Sequence, residues 1–318
     1  MKLTKRVRDI LSNYEGDNAG TKANLARLLM EGRLGGTGKM IILPVDQGYE
    51  HGPARSFAVN PPAYDPVYHH QLAIDAGLSA YAAPLGALEV SSPQFAGQIP
   101  TILKVNSANS LMRNKEAPDQ AITGTVEDAL RLGCSAIGFT TYPGSDQNLE
   151  LQEEISEMIR EAKSVGLPSV VWCYARGGAI PKDMETAMDV IAYGAHMACL
   201  LGAHVIKVKL PSDKLYLPEA KTAFEKNGIS TASQADRVRE VVRSCFNGKR
   251  IVVFSGGEAK GENSVIQDAR DIAAGGGNGS IIGRNCFQRP REDALKLLDQ
   301  MVRVFQGKDQ PAQQAAAA

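Results

Sequence analysis

The 318-residue chain contains no C-x-x-C pair. Its five cysteines, Cys134, Cys173, Cys199, Cys245 and Cys286, are scattered through apolar stretches. Zinc ribbons and dithiol redox motifs therefore find no support, and small buried thiols in a reducing compartment are expected. Charge of either sign is not in excess: 35 Lys and Arg balance 35 Asp and Glu. No broad attraction to nucleic acid or an anionic membrane is implied. No apolar run approaches the roughly 18 residues of a membrane helix. The basic start Met-Lys-Leu-Thr-Lys-Arg-Val-Arg is not followed by an apolar stretch, so no secretory signal is read and the cytoplasm is the expected location. No G-x-G-x-x-G comes after the first apolar run, which argues against a dinucleotide-binding fold. His51, His69 and His70 lack metal-ligand spacing, and adjacent histidines point apart, so no metal is expected. Ser255 has no His–Asp pattern that would make it a hydrolase nucleophile.

What the chain does have is a repeated alternation of apolar runs and amphipathic stretches. Strands are read at 39–47, 78–85, 100–106, 135–142, 169–175, 204–210, 250–255 and 280–285. Helices are read at 67–76, 125–132, 149–165, 183–201, 233–244, 263–273 and 290–305. Helical spacing is plain in Leu151, Ile155, Met158, Ile159 and Ala162. Strands alternating with helices imply a parallel sheet, and eight units imply an α/β fold of the (β/α)8, or TIM, barrel type. Residues 1–38 are read as an N-terminal helical extension, 39–306 as the catalytic barrel and 307–318 as a flexible tail. The proline-rich segment 51–66 is read as a long first βα loop.

Strand parity sorts side chains into an inner and an outer set. Ile42, Pro44 and Asp46 share one face, as do Ile102, Lys104 and Asn106. So do Val170, Trp172, Tyr174 and Arg176, and Val205, Lys207 and Lys209. Each of these faces turns polar toward its C-terminal end, where barrel active sites lie. Lys207 and Lys209 are the most informative pair. A desolvated lysine, or one beside another cation, loses its proton readily and becomes a nucleophile toward carbonyl carbon. Parity alone does not choose between them. Ser255-Gly256-Gly257 ends the seventh strand and Gly283-Arg284 lies in the eighth, which is where a barrel commonly binds phosphate. Arg284 could supply the counter-charge.

Taken in order, five motifs resemble the archaeal-type class I fructose-bisphosphate aldolase family, also found in bacteria. They are Asp46-Gln47-Gly48-Tyr49-Glu50-His51-Gly52-Pro53, Trp172-Cys173-Tyr174-Ala175-Arg176-Gly177-Gly178, Gly202-Ala203-His204-Val205-Ile206-Lys207, Ser255-Gly256-Gly257 and Gly283-Arg284-Asn285. The resemblance implies a metal-independent lyase that cleaves fructose 1,6-bisphosphate through a covalent imine, with no other cofactor. It also implies homo-oligomers, often octamers or decamers, acting on phosphorylated ketoses and trioses. Carried over, it makes Lys207 the imine-forming residue, Tyr174 the acid/base and Asp46 its partner. Ser255, Gly256, Gly257, Gly283 and Arg284 become phosphate loops. Lys209, Trp172, Lys104 and Arg176 complete the expected substrate site. Gln47, His204 and Leu210 depart from the family pattern; Gln47 is expected to point away from Asp46. The alternatives are a related aldolase, transaldolase or thiolase using the same lysine, and a non-catalytic sugar-phosphate-binding barrel.

Overall fold

The computed structural model describes residues 2–112, 117–255 and 260–309. Its strands are β1 (Met40–Pro44), β2 (Ala80–Pro84), β3 (Thr101–Lys104), β4 (Ala136–Thr141), β5 (Ser169–Cys173), β6 (Val205–Lys209), β7 (Ile251–Ser255) and β8 (Gly279–Ile281). They form a closed parallel barrel in chain order, β8 returning to β1 through Met40–Gly279 and Ile42–Ile281. A crossover helix succeeds each strand, so the (β/α)8 architecture read from the alternation is the one observed.

Parity explains the core. Outward residues such as Ile41, Phe139, Ile206 and Phe254 pack beneath the helices. Inward residues such as Ile42, Ala82, Ile102, Val170, Val205 and Val253 fill the barrel. Trp172 is the largest of these and is 1% exposed. It needs Gly138 on the next strand: a Cβ there would stand 2.4 Å from the indole Cζ3. Glycine in a strand interior marks this kind of close approach.

The N-terminal extension closes the barrel's base. Helix α1 (Lys5–Leu11) is capped by Thr4 and α2 (Ala19–Met30) by Asn18, each side chain accepting from a first-turn N–H. Val7, Ile10, Leu25, Leu28 and Leu29 join Met40, Val205 and Ile251 in one apolar cluster. The Tyr14 hydroxyl donates to His204 O at 2.7 Å and accepts from Ile251 N at 3.1 Å, which ties the extension to the starts of β6 and β7.

Several elements differ from the sequence reading. Leu85 opens a helix, Leu85–Ser91, instead of ending β2. A further helix, Pro218–Lys226, lies between β6 and its crossover helix. The segment read as an irregular first loop holds a helix at Pro53–Phe57 and a 3₁₀ turn at Pro61–Tyr64. The common reason is that Pro53, Pro61 and Pro218 stand at helix starts, where the missing N–H costs nothing and the fixed φ helps. At the C-terminus, Asp309 pairs with Arg270 at 2.5 Å. The rest of the tail read at 307–318, residues 310–318, lies outside the described residues.

Candidate active site

Lys207 occupies the middle of β6 and points into the barrel, where it is 5% exposed. Its amine meets the Tyr174 hydroxyl and stands 4.4 Å from the centre of that ring. Burial pushes the amine down from the ordinary lysine value of 10.5 to about 7. The Asp46 and Glu50 carboxylates oppose that shift, while Lys209 and Lys104 add to it more weakly. An amine that titrates near neutrality is partly unprotonated there and can attack a carbonyl.

Lys209 shares the inward face one pleat higher but has a different environment. Its amine faces Glu185 at 3.4 Å, and its pKa is lowered, chiefly by burial, with Glu185 pulling the other way. The like-charge effect expected of Lys209 on Lys207 is thus real in sign but secondary to desolvation.

Lys104 ends β3 and is 2% exposed. It donates to the carbonyl of Asn106, and at 2.8 Å to Asn106 Oδ1. Asn106 in turn holds both backbone groups of Thr140, with contacts of 2.7 and 2.9 Å. Burial takes the Lys104 amine down to about 8, against the attraction of Asp46 and Glu50. Asp46 itself stands just past β1, at the entry to the short helix Gln47–His51, and acts on both buried lysines.

Arg176 leaves the strand face assigned to it, because β5 ends at Cys173. Its guanidinium lies 4.9 Å over the Tyr142 ring and pairs with Glu50 at 3.2 Å. That contact joins the first and fifth loops across the mouth. Glu50 is also held through its carbonyl by the Ser110 N–H at 2.9 Å. Glu50 and Glu185 escaped the sequence reading, since a charged loop residue carries no local signal of a partner 126 or 24 positions away.

Ser255 ends β7 in register with Lys209. Gly283 lies just past β8, and Arg284 opens the short helix Arg284–Phe287. Loops seven and eight are clamped together: Lys260 N donates to Asn285 Oδ1 at 2.6 Å and Arg289 donates to Lys260 O at 2.7 Å. Gly256 and Gly257 lie outside the described residues. Gln47 opens the short helix Gln47–His51, past the end of β1, so strand parity does not reach it; a Cβ on Gly283 would come 2.7 Å from its amide nitrogen. Trp172, expected among substrate-binding residues, fills the barrel interior at 1% exposure with its indole N–H unpartnered.

Several buried polar atoms at this mouth lack a protein partner among the described residues, as do others elsewhere in the fold. Those at the mouth include Gln47 Oε1, His51 Nδ1, Trp172 Nε1, Arg176 Nε and Ser255 Oγ. Native proteins rarely leave such atoms unsatisfied, which suits those here to a ligand. By contrast His69 and His70 are buried in the helix Pro66–Asp75, on Ala63 O and Ser91 Oγ respectively, and burial takes both down to about 4. They point apart and toward packing, as their adjacency requires.

Residues 40–289 match the DeoC/LacD family of aldolases. The chain is 35% identical over 296 residues to the probable class 1 fructose-bisphosphate aldolase of Chlamydia muridarum, covering 89% of this chain and 83% of that one. It is 35% identical over 271 residues to the class 1 fructose-bisphosphate aldolase of Thermoproteus tenax, covering 85% and 90%. Among solved structures, it is similar to an archaeal fructose-1,6-bisphosphate aldolase whose catalytic lysine is covalently bound as the carbinolamine intermediate. That likeness has a TM-score of 0.73 and 31% identity, over 89% of this chain and 98% of the other.

Proposed function

The chain belongs to the DeoC/LacD family of aldolases, and from that premise we propose that it is a class I, Schiff-base fructose-bisphosphate aldolase working through Lys207. It interconverts fructose 1,6-bisphosphate with dihydroxyacetone phosphate and glyceraldehyde 3-phosphate. The observation that carries the residue assignment is the Lys207 amine: buried, set against the Tyr174 hydroxyl and brought to about 7.

The unprotonated Lys207 amine adds to the ketose C2 carbonyl, giving a carbinolamine. Proton delivery from Tyr174 lets the C2 hydroxyl leave as water, and an iminium forms. A base removes the C4 hydroxyl proton, the C3–C4 bonding pair flows into the iminium, and the aldehyde product departs. Tyr174 is the group in reach of this chemistry, with Asp46 assisting. Protonation of the resulting enamine at C3 and addition of water release dihydroxyacetone phosphate and restore the amine. The imine is the electron sink, so this route calls on no metal or added cofactor. Ser255, Gly283 and Arg284 are assigned to one phosphate, with Lys104 and Arg176 toward the other.

Homo-oligomerisation is supported by the helix Met188–Leu200, where Tyr193 and Leu200 are 59% and 67% exposed. A cytoplasmic location agrees with the absence, among the described residues, of any helix long and apolar enough to cross a membrane.

Borohydride reduction with fructose 1,6-bisphosphate or dihydroxyacetone phosphate present tests the reading. A substrate adduct is expected on the Lys207 peptide. Its absence from every lysine would sink the Schiff-base mechanism, and its appearance on Lys209 would move the nucleophile by one pleat. Full turnover in EDTA is expected alongside.

A further inference from the structure

At the opposite end of the barrel from Lys207, a cavity of about 180 Å³ lies between α1 and the starts of β7 and β8. Arg6, Lys249 and Arg250 line it. Lys39 stands beside Arg6; burial, with the Arg6 charge adding to it, takes its amine down to about 8. These four cations come from three segments of chain, yet among the described residues none has a carboxylate within 4.0 Å. The lining holds one carboxylate, Asp9, and Lys5 engages it at 2.9 Å. Ordinary surface cations do not converge in this way without counter-charge, because mutual repulsion opposes it.

Arg250 is also held in place. Its guanidinium lies 4.9 Å over the Tyr14 ring and 5.4 Å from that of Phe246. Nη1 donates to Asn13 O and Lys249 O at 3.2 and 3.0 Å. The remaining guanidinium N–H groups have no acceptor among the described residues. A stacked guanidinium with free donors is set up to bind an oxyanion.

The backbone that delivers Lys249 and Arg250 is an independent observation. Phe246, Asn247 and Gly248 run consecutively in the left-handed region, at φ 56, 55 and 76°. Phe246 and Asn247 are the only non-glycine residues with positive φ among those described. A bulky residue in that region is strained, and such strain gathers at functional sites. Here it is sustained by Asn247 N to Arg243 O at 2.7 Å and Gly248 N to Val242 O at 3.0 Å.

We propose that this cavity is a second anion site, distinct from the catalytic mouth, that seats a phosphate group between Arg6, Lys249 and Arg250. It would tie the N-terminal extension to the base of the barrel. The test is the rise in thermal midpoint of the full-length protein with inorganic phosphate, compared with Arg6→Gln/Lys249→Gln. Both changed residues are exposed, and the catalytic mouth is intact in both proteins, so its phosphate response cancels. The rise is expected to be clearly smaller in the double variant. Equal rises would overturn the site. Lys2→Gln/Arg8→Gln removes the same charge from the N-terminal extension outside the cavity lining and should respond as wild type. A loss there equal to that of the first variant would also overturn the site, leaving only a general field.

Discussion

Strand β6 is preceded by a buried histidine at the barrel's base and carries buried lysines toward its mouth, and the two ends treat their titratable groups differently. At the base, His204 Nδ1 accepts from Ser169 N at 3.0 Å and contacts Ser169 Oγ at 3.1 Å. Its ring stacks on Tyr14 at 5.8 Å. Nε2 faces Asp17 at 3.4 Å, obliquely for a hydrogen bond, so the contact is mainly carboxylate to ring dipole. That ring holds the Asp17 carboxyl down at about 2, while burial keeps the His204 pKa below its ordinary value. Around His204 the protein itself supplies Ser169, Tyr14 and Asp17. At the mouth, Lys207 has Tyr174, and several buried polar atoms around it have no protein partner among the described residues. The histidine is set by packing within the fold, the lysine by the space left beside it.

Lys207→Met should break the contrast most sharply. Turnover should fall on the order of 10⁴-fold or more, measured by coupled assay of fructose 1,6-bisphosphate cleavage. Stability at pH 7 should move the other way. The amine titrates at about 7 folded and near 10.5 unfolded, so between those values the unfolded chain binds more protons and stability increases with pH. Removing the amine removes that penalty at neutral pH. A gain of about 1–3 kcal/mol is expected in urea unfolding, and a loss would mean the lysine is structural.

Tyr174→Phe leaves Lys207 buried but removes the proton carrier. A drop of roughly 10²- to 10⁴-fold in kcat is expected, with borohydride trapping on Lys207 retained in single-turnover experiments. Unchanged kcat would pass the proton role to Asp46. At the base, Tyr14→Phe strips a hydroxyl from between His204 O and Ile251 N. It should cost about 1–3 kcal/mol of stability with kcat untouched; a kinetic effect without destabilisation would couple the two ends. The smallest effect belongs to Lys209→Met. The wild-type acid limb of kcat/KM should inflect near 7, the Lys207 value. Because Lys209 contributes to lowering that value, its loss should move the limb to higher pH, by less than about one unit. A move to lower pH would contradict the arrangement.

Much of the fold and the site is readable along the chain because a strand's period is short and local. Lys104, Asn106, Tyr174, Lys207 and Lys209 fall on inward faces by counting alternate residues, and each points to the mouth. Seven of the crossover helices are legible from their own local period, while the one after β2, Leu85–Ser91, is not. Nothing near Trp172 in sequence announces Gly138, whose missing side chain makes room for the indole. Tyr174 and Arg176 both lie past the end of β5, where strand parity no longer sets direction, and Arg176 is placed by Glu50 and the Tyr142 ring. Prolines that read as loop markers start helices instead, an outcome that depends on whether the residues after them are packed.

By itself the sequence determined the alternation, the inward faces and the kinds of chemistry gathered on them: amines, a phenol, a carboxylate and glycine-rich turns. Counting alternate residues left two lysines on one face as equals, and only the motif's resemblance pointed to Lys207. The tertiary structure gives them different surroundings, because desolvation and charge are set by distant segments. The barrel wall buries Lys207 and brings Tyr174 to it, while a turn between β5 and its helix presents Glu185 to Lys209. One amine is left without a carboxylate at hydrogen-bonding range, which is the state the proposed nucleophile needs; the other keeps its counter-ion.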